Sequence, residues 1–142
     1  SMIADHYHAM ISYASADRRI AKRLTDYLVA EGYRVWFHVD SNDNEFDPIT
    51  KTIIDNSDCI VLCLSDAYAE RYRCQKEARY AADSRKNILM VNVSSKYRLK
   101  DWLSFVGPGK IQFSLVDSKL DIPTIYLQIA KEIKVGYLLV VV

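Results

Sequence analysis

The sequence predicts an α/β domain: a flavodoxin-like, five-stranded, mainly parallel sheet in the order 2-1-3-4-5, with helices on both faces. Three observations predict it. Short apolar runs alternate with helical apolar patterns from one end of the chain to the other. Residues 59–64 (CIVLCL) and 88–93 (ILMVNV) are apolar almost without interruption, as strands buried on both faces must be. A chain of 142 residues is long enough for one core and too short for two of ordinary size. Strand–helix–strand crossovers in such a sheet are right-handed, and the expected order is the flavodoxin-like one.

Residues 7–13 (YHAMISY) read as the first strand. Ser15 and Asp17 are capping-type residues, and Ile20, Leu24, Tyr27 and Leu28 then recur at helical spacing until Gly32 stops the pattern. Residues 33–39 (YRVWFHV) form the second strand. A polar loop covers 40–46, and Asp47 as N-cap with Pro48 at the first helical position opens a helix carrying Ile49, Ile53 and Ile54. After the third strand, Ala67, Cys74, Ala78 and Ala81 make a small apolar stripe on one helix. Residues 94–108 are mostly loop, with a turn of helix around 99–103. Residues 110–115 (KIQFSL) alternate, which suits an edge strand. Asp121 and Pro123 start a last helix with Ile122, Ile125, Ile129 and Ile133 on one face.

The ends are read separately. Residues 1–5 are an N-terminal tail in which Ser1-Met2 resembles an expression scar, and residues 6–135 are the domain. The apolar residues 136–142 (GYLLVVV) are too few to cross a bilayer, which takes about twenty. They are either an extra strand or a longer apolar segment cut short. Only the second case gives the chain a membrane partner.

Composition removes several functions. Lys plus Arg (19) nearly equals Asp plus Glu (18), so no nucleic-acid footprint is expected. Three cysteines without a CxxC pair read as reduced thiols, hence a cytoplasmic protein. Neither GxGxxG nor GxxxxGK[ST] occurs, which excludes the common phosphate-binding enzymes of this topology. A phosphoacceptor receiver needs an acidic cluster at the strand ends, and Asp66 alone is a poor substitute. His6, His8 and His38 fall on neighbouring strands, but no carboxylate or cysteine stands at ligand spacing, so no metal is expected.

In such sheets ligands bind beyond the carboxyl ends of the strands, in a crevice here rimmed by residues 13–15, 40–41 and 65–66. Glu77 is the candidate carboxylate beside it. Helical geometry puts Glu77 about 80° from the centre of the small apolar stripe, on the flank of its helix. Two readings stand at this point. Glu77 is a surface charge paired with Arg73, contributing about 0.2–0.5 kcal/mol, or it is the single carboxylate used for chemistry.

Several stretches together resemble a TIR (Toll/interleukin-1 receptor) domain. YHAMISY over 7–13 is similar to the family's first box, an aromatic, Asp, Ala, Phe, an aliphatic, Ser and Tyr. GYRVW over 32–36 resembles its G-x-x-V-aromatic stretch, and SDCIVLCLS over 57–65 its third strand. RCQKE over 73–77 resembles the W-C-x-x-E element. The resemblance spans roughly 6–134. It implies two branches, signalling scaffolds and enzymes that cleave NAD⁺ at the nicotinamide–ribose bond.

In the enzymatic branch the glutamate of W-C-x-x-E is catalytic, and Glu77 occupies that position. One carboxylate suffices, because nicotinamide leaves as a neutral base while the ribose becomes oxocarbenium-like. The resemblance further implies a substrate-binding set of Tyr13, Ala14 and Ser15 after the first strand, Trp36, Asp40, Arg73 and Cys74, with Tyr97 as a stacking aromatic. Asp43, Asn44, Glu45, Phe46 and Asp47 match the BB loop, through which relatives pack on a neighbouring TIR domain. The chain departs from the family at Arg73 (usually Trp), His38 (commonly Asp), Ala14, and a short BB loop without glycine.

The expectation is an NAD⁺ nucleosidase of innate immune or cell-death signalling, activated by self-association, with NAD⁺ as substrate and no further cofactor. The alternative is a non-catalytic module acting through TIR–TIR contacts.

Overall fold

The structure, a computed structural model, describes residues 6–39, 42–99 and 101–141. Five parallel strands form one sheet in the order β2-β1-β3-β4-β5. The strands are β1 (Tyr7–Ser12), β2 (Val35–Phe37), β3 (Ser57–Leu64), β4 (Asn87–Asn92) and β5 (Phe113–Ser114). The helices are α1 (Arg18–Ala30), α2 (Pro48–Asp55), α3 (Asp66–Glu70), α4 (Tyr72–Asp83) and α5 (Ile122–Val141).

The central strands obey the period of two that buries both faces of a sheet. Cys59, Val61 and Cys63 of β3 face the core with Leu24 and Leu28 of α1 and Ile129 and Ile133 of α5. Ile60, Leu62 and Leu64 face the opposite core with Ile53 of α2 and Cys74, Ala78 and Ala81 of α4. On β1 the same alternation turns Met10 toward the α2/α4 side, and Ser12 with it. The three cysteines are free and buried.

The two edge strands are shorter than the sequence suggests. Of residues 33–39 only Val35–Phe37 pair, and of 110–115 only Phe113–Ser114. Pattern reveals which residues can form a strand, whereas an edge has one neighbour to hold them. Asp47 caps α2, accepting from the Ile49 amide at 3.0 Å. Asp17, at the N-cap of α1, makes no such bond and accepts instead from the Ser65 hydroxyl. Gly32, at φ +96°, closes α1 where a side chain would be strained.

The helix expected after β3 is two. Arg71 adopts an extended conformation (φ −85°, ψ 136°) between α3 and α4, so Ala67 belongs to α3 and not to the α4 stripe. Residues 136–141 continue α5 as helix, so the extra strand does not form. Among the described residues no helix is long and apolar enough to cross a membrane. A 3₁₀ segment over Asp101–Phe105 supplies the turn expected near 99–103.

Candidate functional site

At the carboxyl ends of β1 and β2, Glu77 is fully buried and receives three donors. Ser12 Oγ donates to Oε1 at 2.7 Å. Arg73 Nη1 reaches both oxygens, at 3.2 and 3.1 Å. His38 Nε2 lies 3.2 Å from Oε2, and since a carboxylate paired with a guanidinium only accepts, that nitrogen carries the proton. Ser12 spends its single proton on Glu77, so Tyr68, 2.7 Å away, donates to Ser12. Burial pushes the Tyr68 hydroxyl pKa well up, which keeps it a donor.

The flank of α4 is therefore not solvent-facing. Ser12, His38 and the loop before α2 cover it, and the paired-surface-glutamate reading gives way to a buried ion pair. Arg73 is 2% exposed. Besides Glu77 it donates to the Tyr13 carbonyl at 2.6 Å and to Asp43 Oδ1 at 2.9 Å. Burial opposes its charge, but Glu77 and Asp43 outweigh that and hold the guanidinium protonated.

Asp43 fastens the loop to both neighbours. It accepts from the Ser15 amide (3.2 Å), the Ser15 hydroxyl (2.9 Å) and Arg73, while its carbonyl accepts the Arg73 amide at 2.8 Å. Burial would raise the Asp43 pKa; the Ser15 and Arg73 hydrogen bonds outweigh it, and the pKa lies below the ordinary carboxylate value.

In front of this cluster lies a cleft of about 300 Å³ lined by Trp36, His38, Asn42, Glu45, Asp47, Ile49, Thr50 and Arg73. Trp36 Nε1, Thr50 Oγ1 and Arg73 Nε are buried and find no hydrogen-bond partner among the described residues. Their residues line the cleft, but the three atoms are themselves shut off from it, and each costs about 1–3 kcal/mol unpaired. The carboxylates of Glu45 and Asp47 in the cleft, with Asp43 and Glu77 behind, outnumber Arg73 and favour a cation.

The expected site residues are not all brought together. Ser15, Trp36, Arg73 and the loop residues Asp43, Glu45 and Asp47 gather around Glu77 or its cleft. Tyr13 and Ala14 are fully buried, and Tyr13 stacks on Phe37 with ring centroids 4.6 Å apart. Tyr97 is in the core with Leu103 and Val106, away from that cleft. Cys74 is buried beside Ala78, and its thiol pKa is pushed up by burial. Asn44 is exposed, and the half-buried Phe46 lines a separate groove with Lys51, Tyr72 and Lys76. Asp40 lies outside the described residues.

Sequence reasoning missed Ser12, Tyr68 and Thr50, and took His38 only for a departure and a discarded metal candidate. The alternation of β1 held a signal for Ser12: a polar residue on the face of Met10 must find a buried partner. Among the described residues no group of three His, Cys, Asp or Glu could hold a metal. The order Ser12–Glu77–His38 puts the carboxylate, not the imidazole, next to the serine hydroxyl, so it is not the Ser–His–acid arrangement of a hydrolase triad.

A doubly wound parallel sheet with an Arg-Cys-x-x-Glu helix after its third strand defines the class as a flavodoxin-like α/β domain with a buried carboxylate, Glu77, at the strands' carboxyl ends. Within that class the chain belongs to the TIR domain family, whose model matches residues 10–118. The TIR domain of the Toll-related receptor TRR-2 from Hydra magnipapillata superposes with a TM-score of 0.70 at 17% identity, covering 90% of this chain and 98% of that one. The TIR domains of the activated Roq1 resistosome, which directly recognizes the pathogen effector XopQ, give 0.67 at 14% identity and cover 89% and 98%. A metazoan TIR-STING receptor from C. gigas gives 0.57 at 16% identity, and this chain spans 42% of its length. No curated protein sequence matches the chain.

Proposed function

We propose that this TIR domain is an NAD⁺ nucleosidase of innate immune or cell-death signalling, in which Glu77 supports cleavage of the nicotinamide–ribose bond and self-association promotes activity. The observation that carries the reading is Glu77 itself: one carboxylate, in the family's catalytic position, separated from an acidic cleft only by His38 and Arg73. The cleft suits the cationic ring of NAD⁺. Its carboxylates attract the pyridinium.

As the glycosidic bond breaks, the ring's positive charge passes to the ribose and nicotinamide departs neutral. A carboxylate held near the ribose stabilises that charge. Glu77 has to leave its present donors to do so, and the loop at 42–47 has to move from α4. Arg73 then exchanges Glu77 for an anionic group of the substrate, such as its pyrophosphate.

The test is nicotinamide release from NAD⁺ by concentrated protein, comparing wild type with Glu77→Gln. We expect the variant to lose at least a hundredfold. Equal background rates would sink the enzymatic reading. One observation favours the second reading, a non-catalytic module: Glu77 is enclosed and already satisfied by three donors. That module would show no turnover at any protein concentration.

A further inference from the structure

Asp43 sits in a seat built by three residues outside its own loop. Its carboxylate accepts from the Ser15 amide at 3.2 Å, from the Ser15 hydroxyl at 2.9 Å and from Arg73 Nη2 at 2.9 Å. Arg71 Nε lies 3.7 Å from Oδ2, and the Asp43 carbonyl accepts the Arg73 amide at 2.8 Å. Two guanidiniums, two backbone amides and a hydroxyl thus converge on one acidic residue. Such a donor set is the makeup of an oxyanion site, here with the oxyanion supplied by the chain itself.

The seat is held in shape without Asp43. Arg73 keeps Nη1 on Glu77, and its Nη2 also donates to the Tyr13 carbonyl at 2.6 Å, so the fork stays fixed. The Ser15 amide is aimed by the turn after β1, in which the Asp17 amide donates to the Ala14 carbonyl at 2.8 Å. Donors fixed in advance lose little entropy when a ligand arrives. Glu77 and Asp17 stand nearby, yet the seat favours negative charge. Burial would raise the Asp43 pKa, but the bonds from Ser15 and Arg73 outweigh it and hold the pKa below the ordinary carboxylate value. The Asp43 side chain is 15% exposed, which leaves an edge open to an anion from solvent. A carboxylate offers two oxygens to these donors, whereas a phosphate offers three or more in a tetrahedron and pairs well with guanidinium forks. A tryptophan at position 73, as is usual in the family, would supply no guanidinium, so the seat is a property of this chain.

We propose that this seat is a phosphate-binding site whose internal occupant is Asp43. A phosphate group displaces the carboxylate, takes the donors of Ser15, Arg71 and Arg73, and releases the loop at 42–47. Glu77 stays on Nη1 while Nη2 changes partner, so binding needs no chemistry at Glu77. Because Asp43 must leave first, the apparent affinity is reduced by the fraction of time for which the seat stands empty. The group the seat reads is the same whether the phosphate is free or part of a dinucleotide.

Titration with inorganic phosphate, followed by the amide chemical shifts of Ser15 and Arg73, tests the site in wild type, Asp43→Ala and Asp43→Ala/Arg71→Gln. Arg71 is exposed, and Arg73 keeps Glu77 and the Tyr13 carbonyl in every variant, so folding is spared. We expect Asp43→Ala to bind phosphate about tenfold more tightly than wild type, since its seat is always empty. Arg71→Gln in that background should weaken binding about threefold or more, through the lost charge. If Asp43→Ala binds phosphate no more tightly than wild type, or if the Ser15 and Arg73 amides do not shift, Asp43 is a fastening only and the proposal is overturned. ADP-ribose in place of phosphate separates the two sources. Binding about tenfold tighter than that of inorganic phosphate assigns the seat to the pyrophosphate of a dinucleotide, and equal or weaker binding assigns it to a free phosphate. Nicotinamide release tests Glu77 separately: phosphate binding without release leaves this site standing and removes the enzymatic reading.

Discussion

At the scale of single residues, the Glu77–Arg73 pair is the feature whose physical meaning changed most between sequence and structure. The i, i+4 spacing announced the pair. It did not announce its burial, because the residues that cover it, Ser12, His38 and Asp43, come from elsewhere in the chain. An exposed pair of this kind contributes a few tenths of a kcal/mol, but a buried pair broken on one side leaves an uncompensated charge. Glu77→Ala should therefore destabilise the fold by about 3–5 kcal/mol. Glu77→Gln also removes the charge but keeps an acceptor for Arg73 and Ser12, and should cost about 1–2 kcal/mol less than Glu77→Ala. Urea unfolding midpoints check this. Both variants remove the charge, so similar midpoints would mean that the lost charge and not the lost acceptor sets the cost, and would leave Glu77→Ala as clean an activity control as Glu77→Gln.

At the scale of elements, the central strands were legible because their apolar runs admit one arrangement, buried on both faces. The break at Arg71 was not legible. Its cause is tertiary: the extended residue lets the Arg73 amide reach the Asp43 carbonyl, so the start of α4 holds the loop as well as the site. Asp43 is the fastening. Replacing it with Asn removes the charge that Ser15 and Arg73 pair with, a loss of about 1.4 kcal/mol and hence about tenfold faster opening. Hydrogen exchange should quicken at residues 42–46 and at Ser15, with β1 and β3 unchanged. The pH dependence has a definite sign. Asp43 has a depressed pKa, so the fastening is fully present above the ordinary carboxylate value, about 3.9, and is lost as pH falls through its lower folded value. Unchanged exchange in Asp43→Asn would show that other contacts hold the loop.

At the scale of the whole molecule, alternating patterns sufficed for a parallel sheet, since each helical crossover returns the chain in the same direction, while the strand order came with the flavodoxin-like class. The site was legible only through the family's motifs. The cleft is a product of assembly, with Trp36, Thr50 and Arg73 far apart in sequence and joined by the fold. The charge of that cleft makes a prediction about the whole domain, because a ligand bound only by the folded state raises global stability. With Glu77→Gln preventing turnover, NAD⁺ at about ten times Kd adds RT ln 11, about 1.4 kcal/mol. For a domain of this size that raises Tm by roughly 3–6 °C. NADH has the same phosphates, sugars and carboxamide but a neutral ring. If the acidic cleft selects the pyridinium, NADH at the same concentration should shift Tm by less than half as much. Equal shifts would move recognition to the phosphates and away from Glu45 and Asp47, and the absence of any shift with NAD⁺ would remove the substrate from this cleft altogether.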